Sequence, residues 1–275
     1  MKITLPDNSS RELPEGSSGY DLAKDIGPGL AKSAIAVTID GVQRDLHDVI
    51  DADASVSIIT IDSDEGIEIM RHTLTAQVLA RAIKNLYPKS KLAIGPTVQD
   101  GFYYDVESIE SISSDDLSKI EEEMKKIIKT KSAITKKLVS KKEALKIFKS
   151  NKEPYKEIII NESDQDDNFQ LYYQDDEEFV DLCRGPHLPN LGFIGSFKLT
   201  KVSGAYWKGD SKNSMLTRIY GTAFNNDKDL QNHLENIEEA LKRDHRKLGK
   251  EMDLFHFQDE APGMVFWHSN GWTVY

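Results

Sequence analysis

Cys183 and His187 set a thiol and an imidazole four residues apart in the stretch VDLCRGPHLPN, residues 180–190. Such a pair can bind zinc, act as nucleophile and base, or orient a water. A spacing of four would share one face of a helix, but Pro186 interrupts any helix there. A tight turn at Gly185 could instead aim both side chains at one point. The motif alone is weak. A structural zinc needs four ligands and a catalytic zinc usually three, and a buried thiol beside an exposed histidine reads equally well. Asp181 precedes Cys183 by two, which places both on the same side if FVDLC is a strand. His72 near a helix start, Lys156 in YKEIII, and Gly95 and Tyr104 in the glycine turns LAIGPT and DGFYYD complete the set. Each has an ordinary alternative: a half-exposed histidine, a surface lysine, packing aromatics. No P-loop, G-x-G-x-x-G, G-x-S-x-G or H-E-x-x-H occurs. The residues define a candidate pocket of His, Cys, Lys and Asp.

The elements that must position these groups follow from the pattern. Residues 1–61 read as a separate β-grasp-like module: MKITL as an edge strand, a helix at Tyr20, Leu22, Ala23 and Ile26 stopped by Gly27-Pro28-Gly29, then strands SAIAVTI and SVSIITI. DSDEGIE, 62–68, reads as an acidic linker. IMRHTLTAQVLARAIKNLY is helical, with Leu79, Ala82, Ile83 and Leu86 at helical spacing and Pro88 beyond it. The clearest helix covers 114–131, with Leu117, Ile120, Met124 and Ile127 on one face and Ser114 as cap. From 155 to 224 the reading is mostly strand, YKEIII included, and 227–250 returns to helix. The basic run KRDHRKLGK suits either a helix C-terminus or an RNA phosphate. The aromatic stretch from Phe255 to Trp272 has nothing after it to cover it, which predicts further chain beyond Tyr275.

With 275 residues, two or three modules are expected. Thirty-five basic against 46 acidic residues give a net charge of −11, which argues against a generic nucleic-acid coat protein while leaving room for local RNA-reading patches. One cysteine excludes an internal disulfide framework. MKITLPDNSS lacks the apolar core of a signal peptide, and no apolar run is long enough to cross a membrane, so a cytoplasmic protein is expected.

The runs LAIGPT, DGFYYD, EFVDLCRGPHLPN, FKLTKVSGAYWKGDS, RIYGTAF, RDHRKLGKEMDLF and EAPGMVFWHSNGW, in this order, resemble the N-terminal portion of bacterial-type threonyl-tRNA synthetases. The resemblance covers essentially the whole chain. It implies a multidomain α+β protein: a TGS domain of β-grasp fold at 1–61, an editing domain at 67–225, a linker helix at 226–245, and the start of a class II antiparallel-sheet catalytic domain at 246–275. It implies an aminoacyl-tRNA ligase joining threonine to tRNA(Thr) with ATP, a homodimer when full length. The family's ATP, Mg²⁺ and catalytic zinc sites would lie past Tyr275, so neither cofactor nor metal is expected within these residues. A zinc held by His72, Cys183 and His187 is the alternative.

By the same resemblance the chain would hydrolyse seryl-tRNA(Thr). Cys183 and His187 would line the pocket, with His187 activating water. Asp181 and Lys156 would position or polarise water and ester, Tyr104 would flank the terminal adenosine, and Gly95, Thr73 and Gln77 would join it in binding the substrate. The family's editing helix usually carries His-x-x-x-His. Here the segment is RHTLTAQVLARA. Counting forward keeps His72 and puts Ala76 in the second place. Counting back puts Thr73 and Gln77 in the two places, with one extra residue near His72. Either way one imidazole is missing, which leaves a tRNA-end binding module without hydrolysis, or a zinc-dependent deacylase, as alternatives.

Overall fold

The alternation in SAIAVTI and SVSIITI builds the centre of a five-stranded sheet in the computed structural model, which describes residues 1–174 and 179–274. Its strands are β1 (Lys2–Thr4), β2 (Ser10–Glu12), β3 (Ala34–Ile39), β4 (Val42–Asp45) and β5 (Ala54–Thr60), in the order β2-β1-β5-β3-β4. β1 and β5 run parallel and the other pairs antiparallel. Helix α1 (Gly19–Ile26) starts with a capping box between Ser18 and Asp21 and packs Leu22 and Ala23 against Ile3, Val37 and Val56. The Gly-Pro-Gly run ends α1 as read but also opens a short α2 (Pro28–Ser33), because a proline at the first helical position loses no hydrogen bond.

The acidic segment read as a linker is instead a helix start. The Ser63 side chain accepts from Gly66 N–H, and Asp64 and Glu65 occupy the positive end of the helix dipole. Helix α3 (Asp64–Thr73) runs into a π-helical turn at Leu74–Leu79 and then α4 (Ala80–Leu86). Ala80 N–H donates to Thr75 C=O, five residues back. A π-turn houses one residue more than an α-turn without ending the helix. No flexible joint separates the two lobes, since Ile35, Ala36 and Ile59 of the first sheet share a core with Ile69, Met70 and Leu74 of the helix.

Two sheets follow. One has the order β12-β13-β8-β6, from β6 (Lys91–Leu92), β8 (Gly101–Glu107), β12 (Ser196–Tyr206) and β13 (Met215–Phe224), with β7 (Thr97–Val98) paired to β8. In β8, Phe102, Tyr104 and Val106 point into the core beneath α3, α4 and α5 (Leu117–Lys129). The cap of that last helical run is Ser113, not Ser114: it forms a capping box with Asp116 around a 3₁₀ turn, Ser114–Asp116. The other sheet has the order β11-β10-β9, from β9 (Ile134–Val139), β10 (Phe169–Gln174) and β11 (Val180–Leu182), covered by α6 (Lys141–Ser150) and α7 (Pro154–Glu162). YKEIII is therefore helical, a correction to the strand reading. Pro154 opens the helix, and burial of Tyr155, Lys156 and Ile160 on one side outweighs the strand preference of three isoleucines.

The residues from Asp227 onward form a second compact unit. It holds α8 (Asp227–Lys242), α9 (His245–Glu251) capped by Asp244, the two-stranded pair β14 (Phe255–His256) and β15 (Phe266–Trp267), and α10 (Ser269–Val274). Leu241, Met264 and Trp272 are exposed in it. Among the described residues no helix is long and apolar enough to cross a membrane.

Candidate functional site

Three separated segments converge on one cleft. α3 brings His72, α7 brings Lys156, and β11 with the turn after it brings Asp181 and Cys183. All four line a cavity of about 860 Å³, together with Ala76, Gly95 and Arg184. That volume lies in the range of ordinary small-molecule sites.

Lys156 and Asp181 form a buried ion pair, Nζ to Oδ1 2.5 Å, with side chains only 4% and 3% exposed. Leu182 N–H also donates to Asp181 Oδ1 at 2.8 Å. Burial pushes the Asp181 carboxyl above the usual carboxylate range, and the Lys156 charge and hydrogen bond pull against that. Beneath lies Tyr104, fully buried, its ring 5.8 Å from Lys156 Nζ. Burial first, then the Asp181 charge, holds its phenol far above the usual range. A Cβ at Gly95 would sit 2.3 Å from the Tyr104 ring, so only glycine lets that turn close over it. Tyr104 is thus the covered floor of the cleft, with no ring face open to the adenosine the sequence reading assigned to it.

His72 is half-buried and its Nε2 lies 2.9 Å from Cys183 Sγ. The ring also donates to the Pro186 carbonyl, and a neutral imidazole has one N–H, so Nε2 presents a lone pair to the thiol. Burial lowers the His72 pKa below 6.5, with the Pro186 carbonyl and the Asp181 charge opposing, so the ring is neutral at pH 7.

His187 stands behind this layer. It is 2% exposed and does not line the cleft. Its ring stacks on His72 at 4.6 Å between centroids and takes the edge of Tyr172 at 4.4 Å. Nδ1 lies 3.1 Å from Thr73 Oγ1, which itself accepts the Leu188 N–H at 3.0 Å. We assign the Thr73 hydroxyl as donor to Nδ1, which leaves the ring proton on Nε2, an atom with no partner among the described residues. Gly185, at φ +63°, is required twice over: by that left-handed backbone and because a Cβ would lie 2.0 Å from Tyr172 Oη.

The two ways of counting along RHTLTAQVLARA meet at the π-turn. His72, just before that turn, and Ala76, within it, both line the cleft. Gln77 is fully buried; its carbonyl accepts from Gln174 Nε2 at 2.7 Å and its own Nε2 has no partner among the described residues. Thr73 serves His187, not the cleft. Sequence reasoning missed Asp45 and Tyr172, which hold His187 from behind. No motif marks either, since Asp45 lies 142 positions away.

The donor atoms of His72, Cys183 and His187 all lie within 4.8 Å of one another. A shared zinc, at bond lengths of ~2.1 Å to nitrogen and ~2.3 Å to sulfur in tetrahedral geometry, would hold its N and S ligands about 3.6 Å apart. The 2.9 Å separation of His72 Nε2 and Cys183 Sγ is shorter than that, so the side chains as placed are in direct contact and are not spread as a tetrahedral ligand set.

Comparison with known proteins places this geometry. The threonyl and alanyl tRNA synthetase second additional domain matches residues 170–220, which include Asp181, Cys183 and His187, and the TGS domain matches residues 1–60. Threonine–tRNA ligases of Hahella chejuensis and Prochlorococcus marinus are 52% and 50% identical over 273 residues. Over almost its whole length the chain is similar to threonine–tRNA ligases. Those alignments take in 99% of this chain and 42% of each relative. The chain thus spans about two-fifths of the length of these threonine–tRNA ligases, and its mixed α and β fold carries the matches to the TGS and second additional domains.

Proposed function

We propose that this chain carries the proofreading hydrolase of a threonine–tRNA ligase, removing serine from mischarged tRNA(Thr). The observation that supports it is the convergence of His72, Cys183, Lys156 and Asp181 on one cleft. The ligase as a whole would join threonine to tRNA(Thr) using ATP. Serine lacks one methyl of threonine, and a pocket sized for the larger residue discriminates by only ~1–3 kcal/mol. A second site that accepts serine and clashes with the extra methyl supplies the rest.

In this reading the ester carbonyl lies against Lys156, whose charge Asp181 holds in place and whose ammonium stabilises the developing oxyanion. Water takes the place of the Cys183 thiol at His72 Nε2. The neutral imidazole accepts its proton as the oxygen attacks the carbonyl carbon. It then returns that proton to the ribose oxygen as the ester bond breaks, releasing serine and tRNA. His187, assigned from the sequence to activate the water, instead orients the His72 ring by stacking on it.

A metal-dependent deacylase is the second reading, favoured by the nearness of the three donors and opposed by their spacing. The test is release of serine from seryl-tRNA(Thr) and of threonine from threonyl-tRNA(Thr), by this chain and by Cys183→Ala, with and without a chelator, beside metal analysis. Serine-selective release that survives the chelator and falls in the variant is expected. Release abolished by the chelator supports the metal reading. No release with tRNA binding intact reduces the chain to a binding module.

A further inference from the structure

The residue that fixes His187 comes from the other domain. Asp45 ends β4 of the TGS lobe, and both carboxylate oxygens are spent on the second lobe. Oδ1 accepts the backbone N–H of His187 at 2.8 Å. Oδ2 accepts the Tyr172 hydroxyl at 2.8 Å and lies 2.8 Å from Lys136 Nζ. Tyr172 in turn packs its ring edge on His187, which stacks on His72, which meets Cys183. A continuous chain of contacts thus runs from the TGS sheet to the cleft.

The arrangement is built rather than incidental. Asp45 is 16% exposed and Lys136 17%, and Lys136 also reaches Asp48 at 2.5 Å. Burial lowers the Lys136 pKa, but the hydrogen bonds and charges of Asp45 and Asp48 more than offset that and leave it raised. A half-buried carboxylate that accepts a backbone N–H directly fixes the position of its segment far better than a water would.

We propose that Asp45 is a positioning residue for the hydrolytic site: the TGS lobe sets the His187 turn, and through it the His72 ring. The catalytic consequence rests on the hydrolase reading above; the geometric one does not. Lys136 grips the same carboxylate without touching His187, so it separates site positioning from simple adhesion of the lobes.

The experiment uses the whole chain labelled with ¹⁵N-histidine, the His187 ring signals being those lost in His187→Gln. Asp45→Ala is expected to shift the His187 signals and to lower kcat for serine release by on the order of tenfold to a hundredfold with KM held. Asp45→Asn keeps an acceptor for the His187 N–H and is expected to restore most of both. Lys136→Met is expected to leave both near wild type. The proposal is overturned if Asp45→Ala moves neither signal nor kcat, or if Lys136→Met reproduces its effects, in which case Asp45 only holds the lobes together. If the unaltered chain releases no serine, the hydrolase reading fails alone and the ring signals decide. A shift in Asp45→Ala absent from Lys136→Met then sustains the positioning role, and no shift overturns it.

Discussion

The two faces of the site are built on opposite principles. On the cleft side, Lys156, Asp181, His72 and Cys183 are held by charge and by direct contact with one another. On the far side, His187 is held by groups that never reach the cleft: Thr73, Tyr172 and, through its backbone, Asp45. The first set can do chemistry because its side chains line the cleft, which His187 does not. The second can only transmit position, because His187 is sealed off. Breaking the ion pair should cost rate and fold together, losing His72 should cost chiefly rate, and breaking the far side should cost the position of His187 together with the contacts that hold it.

The largest effect is expected at the ion pair. Lys156→Met strands the Asp181 charge in a fully buried place and should cost about 3–5 kcal/mol, read by urea unfolding at pH 7. Serine release should vanish with it. Adding Asp181→Leu should restore stability without restoring turnover, because a buried pair is replaceable as packing but not as an oxyanion partner. If the double variant also regains activity, Lys156 has no part in the reaction.

His72→Ala comes next. It should lower the rate by a factor on the order of 10²–10⁴ while costing less stability than loss of the ion pair, since the ring is only partly buried and leaves no buried charge unpaired. The same residue sets the pH dependence. A general base works when neutral, and burial lowers the His72 pKa, so protonation overtakes it only below 6.5. The acid limb of the kcat/KM profile for serine release should therefore fall below pH 6.5. A limb at or above that value would assign the proton transfer to another group.

A smaller loss is expected at Thr73, on the sealed face. Thr73→Val removes the acceptor of the Leu188 N–H and the partner of His187 Nδ1, and should cost about 1–3 kcal/mol in unfolding. Thr73→Ser keeps the hydroxyl and should recover most of the loss.

These predictions also mark what the sequence could reveal. Strand alternation and helical spacing are local, so the TGS lobe, the short helix opened by Pro28 excepted, and the amphipathic helix at 117–129 were legible from residue pattern. YKEIII was not, because what decides it is burial of Lys156 against Asp181, a contact made across the fold. For the site, residue type pointed to His72, Lys156, Asp181 and Cys183. Which of the histidines meets the cleft, and the burial of Tyr104, depend on layering that no spacing encodes. Asp45 had no signal at all, since an aspartate at a strand end reads as a turn residue.

The smallest effect tests the one place where two readings of the sequence competed. Counting back from ARAIKNLYP gave Gln77 a role at the substrate, and counting forward gave that place to Ala76. Ala76 lines the cleft, while the Gln77 amide is buried with its Nε2 unpartnered among the described residues. An orphaned buried N–H carries a desolvation cost of about 1–3 kcal/mol, so Gln77→Leu should leave stability equal or raise it by about 1 kcal/mol, and serine release should not change. A marked loss of rate with stability intact would mean that the amide reaches the ester after all. The π-turn would then shift when substrate binds, and the partition into a reacting face and a sealed one would hold only for the empty site.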